Sequence, residues 1–290
     1  LVTGATGFIG THVINELIKR DVEIIVTSRS VNRAKLKAWY SSVKFIEHDI
    51  QNTTGNLFSK FQKPDILIHL AWSGLPNYKN LFHIESELHK QYYFIKKMVT
   101  DGLNDLNITG TCFEYGMQQG CLSEDGNPAS AENSYALAKD CLRKFLLLLQ
   151  QEHVFTFKWL RLFYMHGSGQ NENSILSKLQ SALDQNDSTF NMSGGQQVRD
   201  YMPVEEVARH IVTCSLQTKT QGIINISSNN PVKIVDLVNR YLIDRNKTIS
   251  LNLGFYPYSD HEPFSFWGDN TKLNNIYITF ICVINYGNRH

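Results

Sequence analysis

Short apolar, β-branched runs recur through the first half of the chain and alternate with segments of helical period. Glu23–Ser28 (EIIVTS), Val43–Glu47 (VKFIE), Asp65–Leu70 (DILIHL) and Leu106–Thr109 read as buried strands. Continuous apolar strands separated by helices predict a parallel sheet covered on both faces. Ile84, Leu88, Tyr92, Ile95 and Met98 mark the apolar stripe of one helix, and Leu142, Phe145, Leu146 and Leu149 that of another. Core packing accounts for one face of each. The second helix also carries Leu147 and Leu148, which makes it apolar nearly all round. That pattern predicts burial on more than one side and permits a homodimer through these two helices.

After Phe163 the pattern loosens. Ser168–Ser174 (SGQNENS) and Asp187–Gln197 (DSTFNMSGGQQ) are polar and turn-rich, and are expected to be loops of a smaller, substrate-covering region. Pro203–Leu216 predicts a helix entered through Pro203, with Glu205 and Glu206 in the favourable first turn. No internal repeat or low-complexity segment interrupts the chain.

The 290 residues suffice for one large α/β domain or a core domain with a smaller partner, and the net charge is +1 with acids and bases interspersed. Nucleic-acid and membrane-surface roles need a concentrated basic face, so neither is expected. The cysteines, Cys112, Cys121, Cys141, Cys214 and Cys282, show no metal-ligand spacing, and no metal site is expected. Their odd, scattered set fits reduced thiols of the cytoplasm. No signal peptide or bilayer-length apolar run stands in the sequence. The chain starts without Met, already inside its first strand, so a few residues are expected to precede it. The tail from Ile276 to His290 is apolar and then polar without clear period; it reads either as a last strand or as a departure from a functional ending.

Two local patterns carry chemistry. Gly4, Gly7 and Gly10 follow the β-branched Val2 and Thr3 and precede the helical positions Ile14, Leu17 and Ile18. A strand that breaks into glycines and re-emerges as a helix brings backbone N–H groups and a helix N-terminus up to a diphosphate; a tight corner alone also selects glycine. The second pattern is Tyr135-Ala-Leu-Ala-Lys139, on a helix for which Asn133 and Ser134 are candidate caps. Four residues apart, a phenol and an ammonium share one helix face, and a nearby cation is expected to lower the tyrosine pKa toward neutrality. Alone, that pair is also a common surface arrangement.

With both patterns in order, the chain resembles the extended short-chain dehydrogenase/reductase family (the NAD-dependent epimerases and dehydratases), from Leu1 to about Leu273. Further motifs fall in sequence: Asp49-Ile50, His69-Leu70-Ala71, Thr111-Cys-Phe-Glu-Tyr115-Gly116, Arg161-Leu-Phe163 and Val198-Arg199-Asp200-Tyr201. The resemblance implies a Rossmann-type doubly wound parallel sheet over residues 1–165, joined by a segment returning near 200–227. Residues 166–290, apart from that segment, would form a smaller C-terminal substrate-binding α/β region. It carries a cofactor site onto Gly4, Thr6, Gly7, Phe8, Ile9, Gly10, Ser28, Arg29, Asp49, Ile50, Leu70, Ala71, Trp72, Tyr135 and Lys139. It makes Tyr135 the general acid/base, Lys139 its tuning partner and ribose ligand, and Thr111 a hydrogen-bond donor to the same sugar oxygen. Arg199 would clamp a substrate diphosphate; the alternative is an ion pair with Asp200. Cys112, Phe113, Tyr164, Asn191 and Trp267 complete the implied substrate site.

The departures refine the expectation. Where NAD-specific relatives place an acid after the second strand, this chain has Ser28 and Arg29, which accommodate a 2′-phosphate and favour NADP(H) over NAD(H); Arg29 stacking on adenine or facing solvent is the alternative. Where dehydratases carry Asp-Glu, this chain has Cys112 and Phe113, which cannot do that acid/base work. The family's Arg-x-Phe-Asn-x-Tyr-Gly has Tyr164 and His166 in place of its Asn and Tyr, leaving Tyr164 as the substitute hydrogen-bonding group and His166 as pocket wall. The segments Ala71–Tyr78 and Phe266–Asp269 resemble those of bacterial reductases of dTDP- or CDP-linked 4-keto-6-deoxyhexoses. The expected activity is therefore reduction of the C4 ketone of such a sugar for surface-polysaccharide precursors. A nucleotide-sugar 4-epimerase with tightly held NAD is the alternative, and a non-catalytic NADP-sensing protein is the rival of another class.

Overall fold

The computed structural model describes residues 1–260 and 262–278. The glycine pattern sits between β1 (Val2–Thr3) and α1 (Phe8–Leu17), whose Val13, Ile14 and Leu17 face inward. The chain then alternates through β2 (Ile25–Ser28), α2 (Val31–Lys35), β3 (Lys44–Glu47), α3 (Leu57–Lys60) and β4 (Leu67–His69). A π-helical turn, His83–Glu87, leads into α4 (Leu88–Thr100), and β5 (Asp105–Thr111) ends in a 3-10 turn, Cys112–Tyr115. After β6 (Gly120–Leu122), Asn133 accepts the Ala136 N–H and caps α5 (Ser134–Glu152), which returns the chain to β7 (Thr156–Leu162).

The remaining elements are β8 (Tyr164–His166), α6 (Ile175–Asp184), β9 (Thr189–Asn191), β10 (Val198–Pro203), α7 (Val204–Leu216), β11 (Gly222–Ile226), β12 (Pro231–Lys233), α8 (Ile234–Asp244), β13 (Ser250–Asn252) and β14 (Phe266–Gly268). Seven strands form one parallel sheet in the order β11-β7-β5-β4-β1-β2-β3. The order reverses between β1 and β4, and the loops at that switch point open a crevice at the carboxyl ends of the strands.

Each sheet face has its own core. One joins Val13, Ile14 and Leu17 of α1 to Val207, Ile211 and Val212 of α7; the other joins Phe94, Ile95 and Met98 of α4 to Leu142, Leu146 and Leu149 of α5. A separate cluster of Leu176, Leu179, Phe190, Met192, Leu237 and Val238 holds the region built from α6, α8, β9 and β13. β10 does not join the main sheet; it pairs with β8 and β12.

Three expectations are corrected. Thr189–Asn191, expected as loop, is a strand paired with β13; one buried residue, Phe190, anchors it, too short a signal to show as periodicity. Pro203 lies outside the first turn of α7. It ends β10 opposite His166 and caps the helix with φ −57° and ψ 137°, since its fixed φ suits both sides of the junction. Residues 271–278 are helical, so Ile276 opens no strand; it is buried against the α1/α7 core, and the rest of the tail lies outside the described residues.

Candidate active site

The crevice is a cleft of about 420 Å³. Its floor is the glycine turn. Gly4 has φ +68°, and a Cβ there would lie 2.8 Å from the Ala71 nitrogen; a Cβ on Gly10 would lie 2.2 Å from the Gly4 carbonyl oxygen. Turn and helix therefore close on each other only without side chains. Of the residues expected to hold a cofactor, Gly4, Thr6, Gly7, Ser28, Arg29, Asp49, Ile50, Leu70, Ala71 and Trp72 line this cleft. Phe8 turns its ring edge to His12, and Ile9 and Gly10 pack behind the turn against the α1 core side.

Ser73 and Gly74, from the singled-out segment Ala71–Tyr78, also line it, together with residues that the sequence did not point to: Ser30, Arg33, His48, Gln51, Glu87, Lys90 and Gln91. No acid follows β2; Ser28, Arg29, Ser30 and Arg33 lie there instead, with Ser30 capping α2. Asp49 lies beyond β3 on the same side of the cleft. The backbone N–H groups of the glycine turn, the cationic end at Arg29 and Arg33 and a half-buried wall at Trp72 thus fit a dinucleotide laid across the switch point.

Past Trp72 come Tyr135 and Lys139, both buried on α5. The Lys139 ammonium sits 4.1 Å from the Trp72 ring centroid and donates to the Thr109 carbonyl at 2.8 Å. Tyr135 packs among Trp72, Tyr78 and His83, with ring centroids 5.4–5.8 Å away. Thr111 closes β5 two residues beyond the Lys139 contact, and its hydroxyl accepts the Phe113 N–H in a capping box with Glu114. Tyr78 bridges the two sides, its ring 5.2 Å from that of Phe113 and 5.6 Å from that of Tyr135.

The expected lowering of the tyrosine pKa does not occur in this arrangement. Burial raises the Tyr135 phenol well above its ordinary value, reinforced by Tyr78, Glu114 and Cys112. Burial also lowers Lys139 to about 7, opposed by Glu114 and Glu87. Desolvation outweighs the pairing because both groups lie deep and the ammonium is turned to the Thr109 carbonyl. Burial thus favours the protonated phenol of Tyr135 in this arrangement.

The expected substrate residues fall into two groups. Cys112, Phe113 and Tyr164 share one cluster with Phe266, and the Arg199 guanidinium lies over it, 4.6 Å from the Phe266 ring centroid and 5.7 Å from that of Tyr164. Arg199 does not pair with Asp200, which accepts from Ser228 and Asn229. It pairs with Glu262 at 3.1 Å, and the same carboxylate oxygen accepts the Tyr164 hydroxyl at 2.8 Å. Glu262 was not among the expected site residues, and Phe266 was expected only as part of the segment Phe266–Asp269. Trp267 falls on the other side of β14 from Phe266, opposite Cys121, because strand side chains alternate. Asn191 is held on β9 by Asn252 at 2.8 Å, away from the Arg199 cluster's own contacts. His166 is half-buried, and its desolvated ring has a lowered pKa.

A seven-stranded doubly wound sheet with a glycine turn at its switch point makes this a Rossmann-type α/β protein. The chain belongs to the NAD dependent epimerase/dehydratase family, whose sequence model matches residues 1–227. It is 24% identical over 270 residues to a dTDP-6-deoxy-L-talose 4-dehydrogenase (NAD(+)) of Aggregatibacter actinomycetemcomitans, covering 92% of this chain and 98% of that protein. It is 22% identical to a UDP-glucose 4-epimerase of Lactobacillus helveticus, covering 95% of this chain and 90% of that one. Among solved structures, MoeE5 in complex with UDP-glucuronic acid and NAD has a TM-score of 0.77 at 20% identity, over 95% of this chain and 91% of that one. Among the described residues, no helix is long and apolar enough to cross a membrane.

Proposed function

We propose that this protein reduces the C4 ketone of a nucleotide-linked 4-keto-6-deoxy sugar, dTDP- or CDP-linked, with a reduced nicotinamide cofactor, as a step toward bacterial surface-polysaccharide precursors. The observation that carries the reading is the placement of buried Tyr135 and Lys139 against Trp72, a residue of the dinucleotide cleft wall, with Tyr78 between Tyr135 and Phe113. A phenol placed there can donate its proton to an oxygen gaining negative charge. The cofactor, when bound, supplies the hydride. Thr111 offers a second hydrogen bond to that oxygen, and Lys139 donates toward the cofactor ribose from beside Trp72. Arg199 meets the substrate diphosphate once Glu262 releases it. A thiol whose pKa burial raises and a phenyl ring leave no acid/base pair for dehydration. Support also comes from the 4-dehydrogenase relative, whose name specifies redox chemistry at the same carbon of a dTDP-6-deoxy sugar.

NADPH is the proposed reductant, because Arg29 and Arg33 line the cleft where a 2′-phosphate would lie; NADH is the alternative, and NAD is named with both the 4-dehydrogenase and MoeE5. Domain division at about residue 165, a homodimer through α4 and α5, and a cytoplasmic setting complete the proposal. The 4-epimerase reading rests on the epimerase relative.

The test adds NADPH or NADH to the protein with a dTDP-4-keto-6-deoxyhexose and follows loss of reduced-nicotinamide absorbance. Continuous oxidation supports reduction; interconversion of C4 epimers without net oxidation supports the epimerase. Tyr135→Phe is expected to lower turnover by about 10²–10⁴-fold while leaving cofactor binding unchanged. Full turnover in that variant would remove Tyr135 as the proton donor.

A further inference from the structure

The π-helical turn His83–Glu87 clamps the segment that follows β4 at both of its ends. His83 accepts the Trp72 indole N–H on Nδ1 at 3.1 Å and donates from Nε2 to the Asn77 carbonyl at 3.1 Å. Glu87 accepts the Ser73 backbone N–H at 2.8 Å. Such turns insert one residue into a helix and are frequent at functional sites. Here the inserted turn places a 2%-exposed carboxylate in the wall of the dinucleotide cleft.

A chain of hydrogen bonds with only one consistent polarity orients that carboxylate. The Gln91 amide N–H donates to Glu87 at 2.6 Å, so the Gln91 oxygen is free to accept from His69 Nε2, also at 2.6 Å. His69 Nδ1 must then accept from the Thr3 hydroxyl at 2.8 Å. Burial holds the His69 pKa near 3, which keeps the ring neutral. Thr3 directly precedes Gly4, so the series ties the diphosphate turn to Glu87 through buried groups. Both bonds to Glu87 fall on Oε1, and among the described residues Oε2 receives none. A preorganised carboxylate with an acceptor oxygen left over is built to take a proton donor from outside the protein.

The sheet order says which part of a dinucleotide arrives there. With the diphosphate over Gly4–Gly7, the adenosine half extends over β2 and β3, and the other half over β4 and β5. Glu87, Ser73 and Lys139 all lie on the β4/β5 side. We propose that Glu87 binds a hydroxyl of the ribose on the nicotinamide side of the cofactor, accepting from it on Oε2 while Lys139 donates to the same diol. The proposal rests on the reading of the cleft as a dinucleotide site and assigns within it a ligand residue of opposite polarity to Lys139.

Two probes separate the inference from that reading. Adenosine diphosphate reaches the glycine turn and stops; adenosine diphosphate ribose adds the second ribose and no nicotinamide. Calorimetric titration of the intact protein is expected to show both binding, ADP-ribose the more tightly. Glu87→Gln is expected to weaken ADP-ribose about tenfold and to leave ADP unchanged, because the amide presents N–H where the hydroxyl needs an acceptor. Glu87→Asp, which keeps the acceptor on a shorter stem, is expected to fall between. If the unsubstituted protein binds neither probe, the dinucleotide reading fails. If it binds both and Glu87→Gln leaves ADP-ribose as tight, or weakens ADP equally, the assignment of Glu87 is overturned.

Discussion

Single residues decide what the substrate side of the cleft can take. The Arg199 guanidinium is nearly enclosed, and its partner Glu262 is about one-third exposed, at 35%. Under the proposed function a substrate diphosphate displaces a carboxylate already in place, and Glu262→Gln removes that competitor while keeping a hydrogen-bond acceptor for Tyr164. For a partly exposed pair the gain is about 0.2–1 kcal/mol, up to roughly fivefold in affinity. Titration with dTDP is expected to show tighter binding to Glu262→Gln and weaker binding to Arg199→Ala. Weaker binding to both would mean that Glu262 supports the site rather than blocking it. The Arg199 motif was legible because its sequence is local. Glu262, 63 residues away, was not, because no spacing rule links residues joined only by folding. The choice between Phe266 and Trp267 turned on strand parity, which two adjacent aromatic residues do not reveal. The phenol–ammonium pair was legible as a juxtaposition and misleading as electrostatics, since burial depth is a property of the whole fold.

At the level of elements, alternation of apolar runs and helical periods predicted β1 to β5 and the helices between them, with ends displaced by a residue or two. It did not predict the π-helical turn, because one extra residue leaves the apolar stripe of Ile84, Leu88, Ile95 and Met98 nearly in phase. The glycine turn is the element on which the most depends. Gly10→Ala places a methyl carbon 2.2 Å from the Gly4 oxygen, a contact relieved only by moving backbone on one side. Overpacking of this kind costs about 1–3 kcal/mol. Denaturant unfolding is expected to show that loss, and ADP titration a larger one, because any relief moves the N–H groups of the turn. Wild-type ADP affinity in a destabilised Gly10→Ala would separate the glycine's packing role from anion binding.

For the molecule as a whole, the class of sheet was legible and the strand order was not: pairing of β4 with β1 and β5 is non-local, and resemblance rather than pattern supplied it. The same limit applies to outer surfaces, where periodicity shows that a helix face is apolar without showing what covers it. On α5, Leu137 is 42% and Leu148 60% exposed, with half-buried Cys141 and Phe145 between them on neighbouring turns. Phe145 meets Tyr92 of α4, beside the 59%-exposed Tyr93. These side chains extend one apolar strip across two adjacent helices on the sheet face away from α1 and α7. A second copy of the chain presenting the same strip matches it across a two-fold axis, which a closed dimer requires. The proposed dimer is therefore expected to have twice the chain mass in light scattering, and Leu148→Glu to convert it to a monomer with unchanged far-ultraviolet dichroism. Each copy carries its own cleft at the opposite, carboxyl edge of the sheet, so the monomer should retain ADP binding. A monomeric unsubstituted protein, or a Leu148→Glu variant that stays dimeric, would place the interface elsewhere or nowhere.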